Sequence, residues 1–255
     1  MEVIQLRAGG FCSQVRLWGR QDREPVFLLH DGMFGADAST AWENVAPRLA
    51  DRHFIVAPDL LGFGGSDKLV FFDRPPYAPR LDQLEALYEA LALRGPCHVV
   101  GTSFGGSLAL RALERGRLPL ASIVSISGTG GPWRTAEGMA ALNDYPRPDP
   151  DAMARLLRLV VGPFAGFDEL ARRRYENTLR PGHFESILAM SLRSPAAAPR
   201  PADPYPGTLA TRTTPVLLVA GEQDTLLESA WTNRLAAYLA ASPVERVVLP
   251  TGHCP

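Results

Sequence analysis

Short apolar runs recur along the chain, and each is flanked by glycine, proline or charged residues. Runs of this kind are typical of buried β-strands. Residues 2–18 also predict two short antiparallel strands that meet at Gly9-Gly10. The predicted buried strands that follow cover residues 26–30, 53–58, 97–101, 120–127, 215–220 and 244–249.

Between these runs, apolar residues recur at intervals of three and four, which is the period of an amphipathic helix. The predicted helices cover residues 41–49 with Thr40 as the N-cap, 81–93, 103–115 and 228–240. Strands and helices that alternate at this spacing predict an α/β fold, with a mostly parallel sheet flanked by helices on both faces. Ligands of such sheets bind beyond the carboxyl ends of the strands.

The alternation stops after the sixth predicted strand. Proline-rich links separate helical patterns at 152–161, 167–179 and 183–192, and no convincing strand pattern interrupts them. We therefore predict a helical lid over residues 131–206, inserted between two parts of the α/β core. The first part of the core covers residues 1–130 and the second part covers residues 207–255.

Composition narrows the class of protein without identifying an activity. Hydrophobic residues make up 46% of the chain and its net charge is −1, which favours a globular protein over a nucleic-acid or membrane-surface binder. Cys12, Cys97 and Cys254 have the spacing of neither a metal cluster nor a disulfide framework. We expect a cytoplasmic protein without signal peptide, membrane span, metal or cofactor. Its oligomeric state, a homodimer included, is left open.

The run Gly101-Thr102-Ser103-Phe104-Gly105 lies between a predicted strand and a predicted helix. It fits the G-x-S-x-G nucleophile elbow in the context which that motif requires. The glycines permit the close backbone packing of a sharp turn. Because the helix begins at the serine, its free N–H groups lie where negative charge would develop.

Two later residues complete a possible catalytic triad. Asp224 follows the predicted strand 215–220, and His253 follows the last predicted strand. A serine hydroxyl needs a base to take its proton, and that base needs a carboxylate to orient it. The order serine, acid, histidine is the one used on α/β-hydrolase sheets. Each residue alone has an ordinary structural explanation, but their joint placement predicts a triad.

At this point the chain resembles the α/β-hydrolase family over nearly its full length. The matching features are His30-x-Gly32, Asp59-x-x-Gly62-x-Gly64-x-Ser66, the elbow, Gly221-x-x-Asp224 and Gly252-His253. The resemblance implies that Ser103 is the nucleophile, His253 the general base and Asp224 its orienting acid. It also implies an oxyanion hole formed by the backbone N–H of Phe104 and that of Gly32 or Met33, with His30 bracing the loop.

The sequence departs from the family pattern in two places. Asp31 stands directly after the loop histidine, where the family usually has glycine. A carboxylate aimed at the oxyanion hole would oppose the charge to be stabilised, so we expect Asp31 to be paired or turned away. The chain stops at Pro255, so we expect the closing C-terminal helix of the family to be absent.

Within the family, the chain looks most like the branch that contains small carboxylesterases and meta-cleavage-product hydrolases, which cleave carbon–carbon bonds. In those carbon–carbon hydrolases a lid arginine binds a substrate carboxylate, and Arg174 falls near that place. A basic run on a helix is more often a solvated face. We therefore expect a serine esterase acting on a small ester. The alternatives are hydrolysis of dienone acids, which are ketones, and a non-catalytic ligand-binding homologue.

Overall fold

The computed structural model of the chain describes residues 1–192, 194–195 and 202–255. Within these residues the fold contains one sheet of eight strands, in the order β1-β2-β4-β3-β5-β6-β7-β8. The strands are β1 (Glu2–Ala8), β2 (Phe11–Trp18), β3 (Glu24–Leu29), β4 (His53–Pro58), β5 (Cys97–Thr102), β6 (Leu120–Ile126), β7 (Val216–Gly221) and β8 (Val244–Leu249).

Strand direction sets the edge on which a site can form. β2 pairs antiparallel with both β1 and β4, whereas β4, β3, β5, β6, β7 and β8 run parallel. The carboxyl ends of these parallel strands therefore meet at one edge, as the alternating pattern predicted. The α/β class and the mostly parallel sheet are confirmed.

Helices pack on both faces of the sheet, because residues of α4 cluster with Phe27 and Leu29 of β3 and residues of α1 and α2 cluster with Val26 and Leu28. α4 packs against β3, β5 and β6, and it ends where Gly116 adopts a left-handed conformation with φ of 67°, a common helix stop. The α-helices are α1 (Ala38–Trp42), α2 (Ala46–Leu49), α3 (Tyr77–Ala90), α4 (Phe104–Arg115), α5 (Ala136–Leu142), α6 (Pro150–Val160), α7 (Phe167–Thr178), α8 (His183–Leu188) and α9 (Trp231–Tyr238).

Some helix predictions were wrong in detail. The helix predicted over 41–49 is two short helices, α1 and α2. Thr40 is not the N-cap of α1, because Asp37 takes that place and exchanges hydrogen bonds with Thr40. The capping box was missed because the apolar pattern begins only at Trp42. α5 was also missed.

Among the described residues, four α-helices, α5 to α8, lie between β6 and β7, and this part of the chain contains no strand. Residues 193 and 196–201, near the predicted end of the lid, lie outside the described residues. The lid bounds therefore stay a prediction. None of the described helices is long and apolar enough to cross a membrane.

Candidate active site

The turn between β5 and α4 holds Ser103 in a backbone conformation that few residues adopt. Its φ is 54° and its ψ is −112°, a combination of backbone angles that residues other than glycine rarely adopt. A Cβ on Gly101 would come within 3.0 Å of the Gly105 backbone. One on Gly105 would come equally close to the Leu29 and His30 carbonyl oxygens. The two glycines therefore permit the sharp turn that the motif predicted.

A continuous chain of hydrogen bonds joins three side chains from different strand ends. His253 Nε2 lies 2.8 Å from Ser103 Oγ, and His253 Nδ1 lies 2.8 Å from Asp224 Oδ2. Asp224 Oδ1 accepts a further hydrogen bond from the Leu226 N–H, which fixes the carboxylate. The side chains of His253 and Asp224 are each 4% exposed. The structure thus brings together the three residues predicted as nucleophile, acid and base.

The loops that carry the acid and the base are held by backbone hydrogen bonds. The Gln223 N–H donates to the Thr251 carbonyl at 2.9 Å. The Cys254 N–H donates to the Val160 carbonyl, at the end of α6, at 2.6 Å. The positions on both sides of His253 are therefore anchored, one to the loop after β7 and one to α6.

The loop after β3, residues 30–35, runs beside the elbow; we call it the His30 loop. A Cβ on Gly32 would come within 3.0 Å of the Phe104 side chain, so Gly32 lies against the residue that follows the serine. Phe104 begins α4, where N–H groups lack helical partners. The Met33 N–H donates to Asp31 Oδ1 at 3.0 Å. Of the two loop amides predicted for the oxyanion hole, only that of Gly32 is without a partner in the described residues.

Asp31 forms a buried ion pair with Arg174 of α7. Arg174 Nη1 donates to Asp31 Oδ1 at 3.0 Å and Nη2 donates to Oδ2 at 2.7 Å. Burial raises the pKa of Asp31, but the charge and hydrogen bonds of Arg174 outweigh it and bring the pKa to about 2. Asp31 is therefore ionised and paired, one of the two arrangements that we expected for it.

The expectation that the basic run is solvated is wrong for Arg174. Its side chain is 6% exposed, whereas that of Arg172 in the same run is 54% exposed. The helical period of α7 indicates that Arg174 is buried, and this indication was overlooked. Arg174 shares a buried face with Phe167, Ala171 and Thr178, at helical spacing.

Two more buried side chains hold the His30 loop at Gly35. Asn177 Nδ2 donates to the Gly35 carbonyl at 3.0 Å, and the Gly35 N–H donates to His183 Nε2 at 2.9 Å. Burial lowers the pKa of His183 to about 3, so near neutral pH the ring is uncharged and can accept this bond. With the Arg174 pair, these contacts tie the loop to helices α7 and α8.

His30 braces the other end of the loop, as the resemblance implied. Its Nε2 accepts the Leu60 N–H at 2.9 Å, and its Nδ1 therefore donates to the Asp31 carbonyl at 2.6 Å. Burial lowers the pKa of His30, which keeps the ring neutral. His30 thus links the His30 loop to the loop after β4.

A cavity of about 750 Å³ opens onto Ser103 and His253. Most of its wall is apolar, from the His30 loop, the elbow, the loop after β7 and helices α5, α6 and α8. The apolar lining includes Met33, Phe34, Tyr77, Phe104, Met139, Leu142, Val160, Ile187, Met190, Leu226 and Leu227, and the polar lining includes Asp31, Arg111, Arg134, Asn143 and Asp203.

Sequence reasoning missed Asn177, His183 and Arg111. Arg111 is held at the cavity wall by Asp203, Glu114 and the Gly130 carbonyl. No local motif marks these residues, because the contacts that place them at the site, to Gly35, Gly130 and Asp203, are with residues distant in the chain.

One group in the described residues could hold a metal ion. Glu24, His53 and His98 lie at the amino ends of β3, β4 and β5, and their ligand atoms lie within 4.8 Å of one another. This is the edge of the sheet opposite the triad. His98 Nδ1 lies 2.7 Å from Ser122 Oγ. The expectation that no metal is bound stays a prediction.

The sequence is similar to those of known hydrolases. A model described as "Alpha/beta hydrolase family" matches residues 26–255. The 2-hydroxymuconate semialdehyde hydrolase of Pseudomonas sp. (strain CF600) is 30% identical over 227 residues, which cover 85% of this chain and 76% of that protein. The 2-hydroxy-6-oxo-2,4-heptadienoate hydrolase of Pseudomonas putida is 31% identical over 176 residues, 65% and 59% of the two chains.

Solved structures are similar over the whole fold. The meta-cleavage product hydrolase of Pseudomonas fluorescens IP01 has a TM-score of 0.80 at 25% identity, covering 100% of this chain and 90% of that one. The carboxylesterase CesB of Bacillus subtilis has a TM-score of 0.77 at 16% identity, covering 99% and 85%. The second likeness shows the fold alone.

Proposed function

The chain belongs to the alpha/beta hydrolase family and is a hydrolase, and we propose that it cleaves small carboxylic esters through an acyl-enzyme on Ser103. One observation carries the proposal: the hydrogen-bonded chain from Ser103 Oγ through His253 to Asp224, at the wall of a mainly apolar cavity. A serine hydroxyl becomes a good nucleophile when an oriented base can take its proton.

In the first half of the reaction, Ser103 Oγ attacks the ester carbonyl while His253 Nε2 accepts the hydroxyl proton. Asp224 accepts the hydrogen bond of the His253 Nδ1–H and stabilises the imidazolium that forms. The oxyanion lies between the N–H groups of Phe104 and Gly32, neither of which has a hydrogen-bond partner in the described residues. The tetrahedral intermediate collapses, the C–O bond breaks and the alcohol leaves with the proton from His253.

In the second half, His253 takes a proton from a water molecule, which attacks the acyl carbonyl. The second tetrahedral intermediate uses the same two amides, and its collapse returns the proton to Ser103 and releases the carboxylic acid. The apolar cavity wall suits a modest, mainly hydrophobic acyl or alcohol group.

Hydrolysis of p-nitrophenyl acetate, butyrate and octanoate tests the proposal. Ser103→Ala should lower kcat/KM by roughly 1,000-fold or more, because the nucleophile is lost, and circular dichroism should show an unchanged fold. Ser122→Ala, which removes a hydroxyl at the opposite edge of the sheet, is the matched control and should keep full turnover. Equal turnover in Ser103→Ala and wild type would contradict the role of Ser103.

A second candidate is hydrolysis of a carbon–carbon bond in a dienone acid. It is favoured by the relatives, which are named hydrolases of 2-hydroxymuconate semialdehyde and 2-hydroxy-6-oxo-2,4-heptadienoate. Against it, Arg174 is buried and its charge is already neutralised by Asp31, which accepts a hydrogen bond from each of its terminal nitrogens. Turnover of 2-hydroxy-6-oxo-2,4-heptadienoate faster than that of any simple ester would favour the second candidate.

A further inference from the structure

A carboxylate of the chain itself occupies a buried arginine beside the nucleophile. Asp31 lines the cavity that opens onto Ser103, and both of its oxygens accept from Arg174. Two parallel bonds between a guanidinium and a carboxylate are the geometry by which proteins recognise carboxylates in general. Arg174 is 5% exposed and Asp31 is 6% exposed, so little water screens the pair.

The pair makes this part of the cavity wall neutral overall. Asp31 lines the cavity and Arg174 does not, so of the two charged groups it is the carboxylate that a ligand meets. Cys254 also lines the cavity here, and burial raises the pKa of its thiol to about 12, so it adds no charge. A substrate carboxylate brought to this wall would meet the Asp31 charge and find both terminal nitrogens of Arg174 already bound.

We propose that Asp31 determines specificity by filling a carboxylate-binding site made by Arg174, so that the cavity accepts uncharged acyl groups and rejects those that carry a carboxylate. This inference rests on the proposed function and names its substrate class. Repulsion of the wrong ligand is a general means of specificity. Removal of the Asp31 carboxylate then leaves a small cavity with a guanidinium at its end, which is a receptor for an external carboxylate.

The first test measures binding without catalysis. Sodium acetate is added to wild type, to Asp31→Ala and to the double variant Asp31→Ala/Arg174→Met, with sodium chloride at the same ionic strength as the reference. Acetate should raise the thermal midpoint of Asp31→Ala by several degrees, because a ligand that binds only the folded state stabilises it. Wild type and the double variant should show no rise beyond chloride. No rise in Asp31→Ala, or the same rise in all three proteins, would overturn the inference.

The second test measures selectivity between p-nitrophenyl hexanoate and p-nitrophenyl hydrogen adipate, which differ by a terminal carboxylate. In wild type the ratio of kcat/KM for the charged over the neutral ester should be low. Asp31→Ala should raise that ratio at least about tenfold, the size of one lost unfavourable charge contact. An unchanged ratio would contradict the specificity role.

Asp31→Asn covers the case in which Asp31→Ala does not fold. The amide keeps the shape of the carboxylate and can still accept from the Met33 N–H, but it carries no charge, so the ratio should rise by a smaller factor. A ratio equal to that of wild type would overturn the inference. The two proposals can be tested separately. If wild type does not hydrolyse p-nitrophenyl hexanoate, the esterase proposal is wrong. The acetate test does not depend on turnover, so it still decides whether Asp31 occupies a carboxylate site.

Discussion

The elbow and the His30 loop lie side by side, yet they are held in place by different means. At the elbow, Gly101 lets its backbone pack on that of Gly105 four residues later, and Gly105 lets the turn pack on the Leu29 and His30 carbonyls. The His30 loop depends on three buried side chains, Arg174, Asn177 and His183, which come from helices 142 to 148 residues later. The shape of the elbow is thus set mainly by residues close in sequence, whereas the position of the His30 loop depends on side chains that are distant in sequence.

This difference predicts which property is lost when each region is mutated. A change at the elbow should prevent the turn itself and therefore cost stability. A change in the side chains behind the loop should leave the sheet intact, while the loop amide of Gly32 moves relative to Phe104. The loss should then appear mainly in kcat, because that amide acts on the transition state.

The largest effect is expected from Gly101→Ala. The new Cβ would come within 3.0 Å of the Gly105 backbone, and overpacking against backbone costs about 3 kcal/mol or more. Urea unfolding should show this loss, or the variant should yield no soluble protein. Gly162→Ala is the matched control, since a Cβ there meets nothing within 4 Å and should change stability by less than about 0.5 kcal/mol. Equal stability of the two variants would contradict the packing argument.

An intermediate effect is expected from Asn177→Ala, which leaves the Gly35 carbonyl buried without its partner. Loss of a buried hydrogen bond costs about 1–3 kcal/mol, and a shifted loop should lower kcat for p-nitrophenyl butyrate by roughly 10- to 100-fold. KM should change much less. Asn233→Ala on the exposed face of α9 is the control and should keep kcat. A fall in stability with kcat unchanged would mean that Asn177 does not position the loop.

The smallest effect at neutral pH is a dependence of stability on pH through His183, because it appears only below pH 6.5. Its pKa is lowered to about 3 in the folded protein from about 6.5 in the unfolded chain. Its stabilisation is therefore fully present above pH 6.5 and falls by about 1.4 kcal/mol per pH unit below it, towards pH 3. His183→Gln, which does not titrate, should show a shallower fall in urea unfolding between pH 7.5 and 5. Parallel curves would show that His183 does not contribute.

The contrast also explains how much could be predicted from sequence. The strands, the elbow and the order of Ser103, Asp224 and His253 follow from short apolar runs and glycine spacing, because these act locally. The side chains behind the His30 loop could not be assigned to it, since α7 and α8 reach it only through tertiary packing. Arg174 was predictable in part: its shared face with Phe167 and Ala171 indicates burial, but nothing in the sequence identifies Asp31 as its partner.

The bonds from Asn177 and His183 to Gly35, together with the Arg174 pair, have a consequence for protein engineering. Helices near a binding cavity are obvious parts to exchange when a different substrate range is wanted. In this protein a graft that replaces α7 and α8 also removes the supports of the His30 loop. Residues 30–35 and the two helices should therefore be exchanged together, and a chimera that moves all three is expected to keep more turnover than a helix-only chimera.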